Sequence, residues 1–328
     1  MSFVTALTRL LAISEPILLA PMGAVSGGRL AAAVTRAGGL GLLGPGYADA
    51  AWIQREFDEA QGARVGIGFI VWDLARDPRR LEVALERAPE AVMLSFGDPA
   101  PFVPAIRRSG AKVLVQVQTV KAAEEAARLG VDVIVAQGTE AGGHGADRSL
   151  FSLLPAVVDA VDPTPVVAAG GIADGRGLAA ALALGASGVL VGTRFYATDE
   201  SLAPAAAKAR VVAGTGDRTV RTRVFDIARR IDWPSPYTGR ALQNDFTRRW
   251  HGREAELSAQ AGEFDLYRGA SQSEDFDTAV VWAGEGVDLV KGVLPAERVV
   301  EAFITEAEAS IARASALRSP RELHEKDP

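Results

Sequence analysis

Short apolar runs recur along the first two thirds of the chain, and almost none of them alternates with polar positions. They fall at 17–21, 40–43, 65–71, 91–95, 112–116, 131–136, 165–169 and 188–192. A strand without polar alternation is covered on both faces, as happens in a parallel sheet packed under helices. Between the runs lie Ala-rich stretches with helical spacing at 28–37, 49–60, 78–86, 120–129 and 175–184. Glycine follows the helical patterns at Gly38, Gly110, Gly130 and Gly185, where a C-cap favours a left-handed residue. Eight β-α units in series predict a closed (β/α)8 TIM barrel. The alternative is an open doubly wound sheet. It fits less well, because the first Gly-rich break, GAVSGG, lacks the spacing of the dinucleotide fingerprint.

After Ala197 the rhythm stops. Residues 199–285 are rich in aromatic side chains and arginine, with Pro234, Pro236 and Gly239 marking a loop between helical pieces. This stretch is expected to be an inserted, mainly helical lobe that meets the substrate. The amphipathic run at 295–317 then supplies the missing eighth helix, so that 1–198 and 286–328 together form the barrel. The polar tail, RSPRELHEKDP, is expected to fray.

Composition narrows the classes. Of 328 residues, 48% are hydrophobic and 23% charged, enough for a substantial core. Lys and Arg total 35 against 41 Asp and Glu, and the resulting net charge of -6 argues against nucleic acid or an anionic membrane as partner. There is no cysteine, which excludes disulfides, thiolate metal sites and a catalytic thiol, and which fits a reducing, cytoplasmic setting. Arg9, Glu15 and Pro16 interrupt the apolar N-terminus, so neither a secretion signal nor a membrane span is expected.

In a barrel of this kind the chemistry lies at the C-terminal ends of the strands. Strand one ends in Ala20-Pro21-Met22-Gly23, strand five in Gln116 and Gln118, and strand six in Gln137-Gly138. Strands seven and eight end in Gly170-Gly171 and Gly192-Thr193, the two loops that cradle a phosphate in this fold. No lysine stands at a strand end for a Schiff base, and only Glu140 and His144 offer themselves to a metal, so no metal site is expected. Amides, small residues and one methionine suit the edge and faces of a flat heterocycle, with flavin mononucleotide (FMN) as the group that brings its own redox chemistry. His144 lies in the strand-six loop AQGTEAGGHGA, whose glycines let the backbone pass close to the ring. It is one of three histidines and is placed to move a proton at the substrate. His251 in the lobe and His324 in the tail carry no such context.

The segments APMG, AQGTEAGGHG, AAGGIADGRGLAAALALGASGVLVGTRF, RTRVFD and GRALQNDF resemble the nitronate monooxygenases, over nearly the whole chain. The resemblance implies an FMN-containing barrel that oxidises alkyl nitronates with molecular oxygen. It puts the active-site histidine at His144. It puts flavin contacts at Pro21, Met22 and Gly23, at Gln116, at Gln137 and Gly142, at Gly170 and Gly171, and at Gly192 and Thr193. A homodimer is compatible with it. Where many members read Gly-Val-Asn after strand three, this chain has Gly66-Ile67-Gly68, and an Asn restored at 68 is expected to tighten flavin binding. Enoyl-acyl-carrier-protein reductases and quinone reductases that use FMN and NAD(P)H share this scaffold. For a reductase acting on an acidic carrier, Arg218, Arg221, Arg223, Arg229 and Arg230 offer a basic patch.

Overall fold

The computed structural model describes residues 3–317. Its strands in chain order are β1 (Ile17–Leu19), β2 (Leu42–Leu43), β3 (Gly66–Ile70), β4 (Ala91–Ser95), β5 (Lys112–Val117), β6 (Val133–Gln137), β7 (Gly143–Gly145), β8 (Val166–Ala169), β9 (Gly188–Val191), β10 (Thr219–Thr222) and β11 (Thr238–Leu242). Eight of these form one parallel sheet in the order β1-β9-β8-β6-β5-β4-β3-β2. A parallel bridge between Leu18 and Leu40 joins its two edges, so the sheet closes on itself as a TIM barrel.

Successive residues of each strand face opposite cores. Leu18, Met93, Leu114, Val133, Val135, Val167 and Leu190 fill the barrel interior. Their neighbours Ile17, Val92, Leu94, Val113, Ile134 and Val189 pack outward against the helices. Each fully buried Leu, Ile or Val contributes about 1.5–3 kcal/mol, which is why the strands read as unbroken apolar runs. The helix Ala6–Leu11 adds Leu7 and Leu11 to the interior cluster, and Thr5 Oγ1 donates to the carbonyl of Ser187 just before β9. That helix therefore stops the N-terminal end of the barrel, and the opposite end stays open.

The helices begin where side chains can take up their first N–H groups. Asp49, Thr119 and Asp174 accept from Trp52, Ala122 and Arg176 respectively. Gly110 ends the helix Val103–Ser109 at φ 86°, the left-handed conformation expected of it. The helix Ala296–Ala316 packs between the helices Gly175–Ala183 and Gly28–Arg36, and so occupies the eighth position of the ring. Gly175 makes this possible, since a β-carbon there would lie 2.2 Å from the carbonyl oxygen of Phe303.

Between β9 and that helix, the chain forms helices at Ala205–Ala213, Val224–Ala228, Asp245–Trp250, Glu254–Ser258 and Ala261–Gln272. It also forms the antiparallel pair β10–β11. Val224, Phe225, Phe246, Trp250 and Tyr267 give this region a small core of its own. The pair is extended by β7, with Gly239 opposite His144. The glycine-rich stretch after β6, read from sequence as an open loop, is thus an edge strand of the inserted region's sheet. No helix among the described residues is long and apolar enough to cross a membrane. The tail and His324 lie outside the described residues.

Candidate active site

A cavity of about 510 Å³ opens at the C-terminal end of the barrel, within the range of about 300–1,000 Å³ usual for cofactor and ligand sites. Pro21, Met22, Gly23, Gln116, Gln137, Gly142, His144, Gly170, Gly171, Gly192 and Thr193 all line it. Residues from five strand ends and from the β6–β8 connection thus meet around one space.

Its floor is an amide relay. Gln116 Nε2 and Gln118 Nε2 donate to Gln137 Oε1 at 3.1 and 2.9 Å, and Gln137 Nε2 donates to the carbonyl of His144 at 3.0 Å. All three glutamines are buried. Their first task is to hold β7 to the barrel. Gln116 keeps its oxygen and one N–H, and Gln137 keeps one N–H, for a ligand. Gln118 supports the relay without lining the cavity.

At one end, Gly170 and Gly171 take φ of 107° and 69° and turn the chain sharply after β8. Thr193 Oγ1 accepts from the N–H of Gly284 at 3.0 Å, which leaves its hydroxyl hydrogen to donate. A β-carbon on Gly286 would lie 3.0 Å from the carbonyl oxygen of Gly171, so the segment 283–286 closes tightly over this turn. Backbone N–H groups and a hydroxyl, with no lysine or arginine among the lining residues here, suit a phosphate held by neutral donors.

At the other end stands His144. Its Nε2 lies 3.0 and 2.9 Å from Oδ1 and Oδ2 of Asp226, and Asp226 is only 1% exposed. Nε2–H therefore donates to the carboxylate, and Nδ1 is the nitrogen left to accept a proton. The imidazole stacks on Trp233, with centroids 3.5 Å apart and planes within 6°. Burial pushes its pKa below the usual histidine value; the Asp226 hydrogen bond and charge oppose this, while Arg229 and Arg221 add to the lowering. The site therefore disfavours the protonated imidazole.

An aromatic wall continues from it. Trp233 Nε1 donates to the Tyr47 hydroxyl at 2.7 Å, and Phe96 meets Trp233 and Tyr237 edge-on at 5.1 Å each. Burial raises the Tyr47 pKa to about 12 even with Arg229 nearby, so Tyr47 stays a neutral donor. Phe96 holds φ of 62°, rare for a residue with a side chain, directly on the cavity wall.

Several of these residues escaped the sequence reading. Asp226 was the most legible, as an acidic residue inside the apolar turn Val224-Phe225-Asp226-Ile227. Trp233, Trp282 and Gly284 carry no local signal, since only the fold brings them to the barrel mouth. The five arginines do not form one patch. Arg221 is turned inward, donating to Thr238 and Thr139 carbonyls at 2.7 and 2.9 Å, and burial and the neighbouring Arg240 lower its pKa to about 10. Arg230 lies over Phe264, Arg223 donates to the Trp233 carbonyl, and Arg229 alone of the five lines the cavity. Position 68 is also tighter than expected. A β-carbon on Gly68 would lie 2.3 Å from Pro21 Cγ. An asparagine there must first displace a cavity-lining ring, and the gain expected from sequence does not follow.

Comparison with known proteins agrees with this architecture. A family model described as nitronate monooxygenase matches residues 4–63 and 52–306. A nitronate monooxygenase of Neurospora crassa is 33% identical, covering 92% of this chain and 91% of its own length. A (3aS,4S,5R,7aS)-5-hydroxy-7a-methyl-1-oxo-octahydro-1H-indene-4-carboxyl-CoA dehydrogenase of Rhodococcus jostii is 37% identical over 69% of this chain and 65% of its own. Among solved structures, FabK from Thermotoga maritima superposes with a TM-score of 0.87 at 29% identity, covering 97% of this chain and 100% of that one.

Proposed function

This chain belongs to the nitronate monooxygenase family of oxidoreductases, and from that premise we propose that it oxidises alkyl nitronates with molecular oxygen, using non-covalent FMN and His144. One observation supports the reading: a histidine hydrogen-bonded to a buried carboxylate lines the same cavity as the glycine-bearing strand ends Gly170-Gly171 and Gly192-Thr193. The cavity fits the cofactor in size, and its lining is mostly backbone and small side chains at the Gly170–Gly171 end.

In this reading the turn at Gly170–Gly171, with Gly192 and Thr193, would hold the phosphate. Pro21, Met22, Gly23, Gln116, Gln137 and Gly142 would hold the ring system by backbone, amide and apolar contacts. FMN supplies the capacity to take electrons from an organic substrate and pass them to oxygen. The chain's own residues do the rest. The aromatic wall excludes water and takes the alkyl substituent. Asp226 fixes the imidazole's tautomer, and His144 Nδ1 accepts the α-proton when the substrate arrives as a neutral nitroalkane. A nitronate has already lost that proton and needs reception, not a base.

The test compares the two substrates in wild type and His144→Ala, with flavin content measured in each. Nitroalkane turnover should fall by about a hundredfold or more, and nitronate turnover far less. Equal losses with flavin retained would mean that His144 positions the substrate or the flavin and removes no proton.

A second reading keeps the cofactor but draws electrons from NAD(P)H to reduce an enoyl thioester or a quinone. The match to a dehydrogenase acting on a carboxyl-CoA favours the thioester form. NADH consumption with an enoyl thioester, and none of nitronate oxidation, would select it.

A further inference from the structure

We propose that Arg229 is the receptor for the anionic head of the substrate, and that the site therefore selects planar monoanions carrying an apolar chain. The inference rests on the reading of the cavity as a nitronate site and adds the group that recognises the charge.

Arg229 caps the C-terminus of the short helix Val224–Ala228. The same turn delivers Asp226 to the imidazole, so one element carries both the residue that orients the histidine and the cation beside it. Arg229 is half-buried and lines the cavity. It lies 5.6 Å from the centroid of the Tyr47 ring, a cation–π distance.

Its partners are unusual by their chemistry. Among the described residues no carboxylate stands within ion-pair distance of Arg229, and no side-chain hydrogen bond occupies its five donors; its guanidinium lies over the Tyr47 ring. The nearest use of a carboxylate, at Asp226, is already given to His144. Other arginines in this region are committed: Arg221 and Arg240 to the Thr139 carbonyl, and Arg240 also to Glu285 at 2.9 Å. A guanidinium on a cavity wall with no ion-pair or hydrogen-bond partner of its own attracts an anion, and its planar fork matches two oxygens sharing one charge.

That geometry describes a nitronate and equally a carboxylate. The remainder of the ligand would lie along Tyr47, Phe96 and Trp233, which all line the cavity, Phe96 packing edge-on against Trp233. Arg229 also bears on the base, since its charge helps to keep His144 unprotonated. A substrate anion bound there lies next to a neutral imidazole, with Arg229 offsetting the like charge of Asp226.

The experiment uses the flavin-loaded protein and a carboxylate that cannot react. Butyrate and its neutral analogue butyramide are titrated calorimetrically into wild type, Arg229→Gln and Arg229→Lys, and KM and kcat for propyl-2-nitronate are measured on the same samples. Arg229→Gln should weaken butyrate binding by about tenfold to a hundredfold, the range expected for hydrogen bonds to a charged group. Arg229→Lys should recover part of that loss, and butyramide binding should be the same in wild type and Arg229→Gln. The nitronate KM should rise by a larger factor than kcat falls. Unchanged butyrate binding in Arg229→Gln, or an equal loss for butyramide, would overturn the proposal. Loss of flavin from Arg229→Gln would overturn it too, by assigning the arginine to the cofactor. Arginine-dependent butyrate binding in a protein that leaves nitronate unoxidised would keep the receptor and discard the nitronate activity.

Discussion

The imidazole of His144 stands between an apolar wall that lowers its proton affinity and a carboxylate that raises it. Burial is the larger effect, so its pKa is below the usual value, near 6.5 for a free histidine. In the proposed reading His144 is a base, and a base must be unprotonated to act. Nitroalkane kcat/KM should therefore rise with pH along a limb that lies below 6.5 and then stay level through neutrality. Asp226→Asn keeps an oxygen to accept Nε2–H but removes the negative charge, which is one of the two influences that raise the histidine pKa. The limb should move to still lower pH, with flavin content unchanged. A pH–rate profile measures this directly, and a limb that stays or moves upward would mean that another group titrates. The scarcity of histidine and its place among glycines made His144 legible in the sequence. The groups that tune it were not, because Asp226 and Trp233 are 82 and 89 positions away in the chain and reach it only through the inserted region's fold.

At the scale of elements, the eight barrel strands were readable because both their faces are buried and their residues are apolar except near a few ends, at Ser95, Lys112, Gln116 and Gln137. The sheet β10–β11–β7 was not. Gly143-His144-Gly145 has neither β-branched residues nor alternation, and it becomes a strand only because Gly239 and Arg240 offer it a ladder. Arg221 and Arg240 face each other across that sheet and both hold the Thr139 carbonyl, which ties the inserted region to the β6 end. The closing helix was readable from its amphipathic pattern, but its seat was not. That seat is the bare backbone of Gly175, where an added β-carbon meets the Phe303 carbonyl and the Ala307 nitrogen at 2.2 and 2.5 Å. Two backbones cannot yield as a side-chain end does. Gly175→Val should lower the unfolding free energy by about 1–3 kcal/mol, read as a shifted urea midpoint with little change in slope. Full stability in that variant would show that the helix Ala296–Ala316 can slide along its neighbours.

Across the whole molecule, the cavity is the place where segments distant in sequence meet. Its lining comes from the barrel's strand ends, from Trp233 in the inserted region and from Trp282, Gly284 and Gly286 on the return to the closing helix. A ligand that fills it touches all three parts and binds only when they are assembled, so its binding energy adds to folding stability. The net charge of -6 disfavours anions at long range. In the proposed reading a phosphate would then depend on close donors, for which the turn at Gly170–Gly171 and the Thr193 hydroxyl are the candidates. Two consequences follow for flavin-free protein. FMN at a hundred times its Kd should raise the unfolding free energy by about 2.7 kcal/mol. Riboflavin at the same concentration should raise it by clearly less, because it leaves the glycine turns without an anion. Thermal unfolding with each flavin, alongside mass spectrometry of the flavin released from the native protein, measures both. Equal stabilisation by riboflavin would show that the turns after β8 and β9 do not read a phosphate, and release of FAD would show that the cavity accommodates more than one nucleotide half.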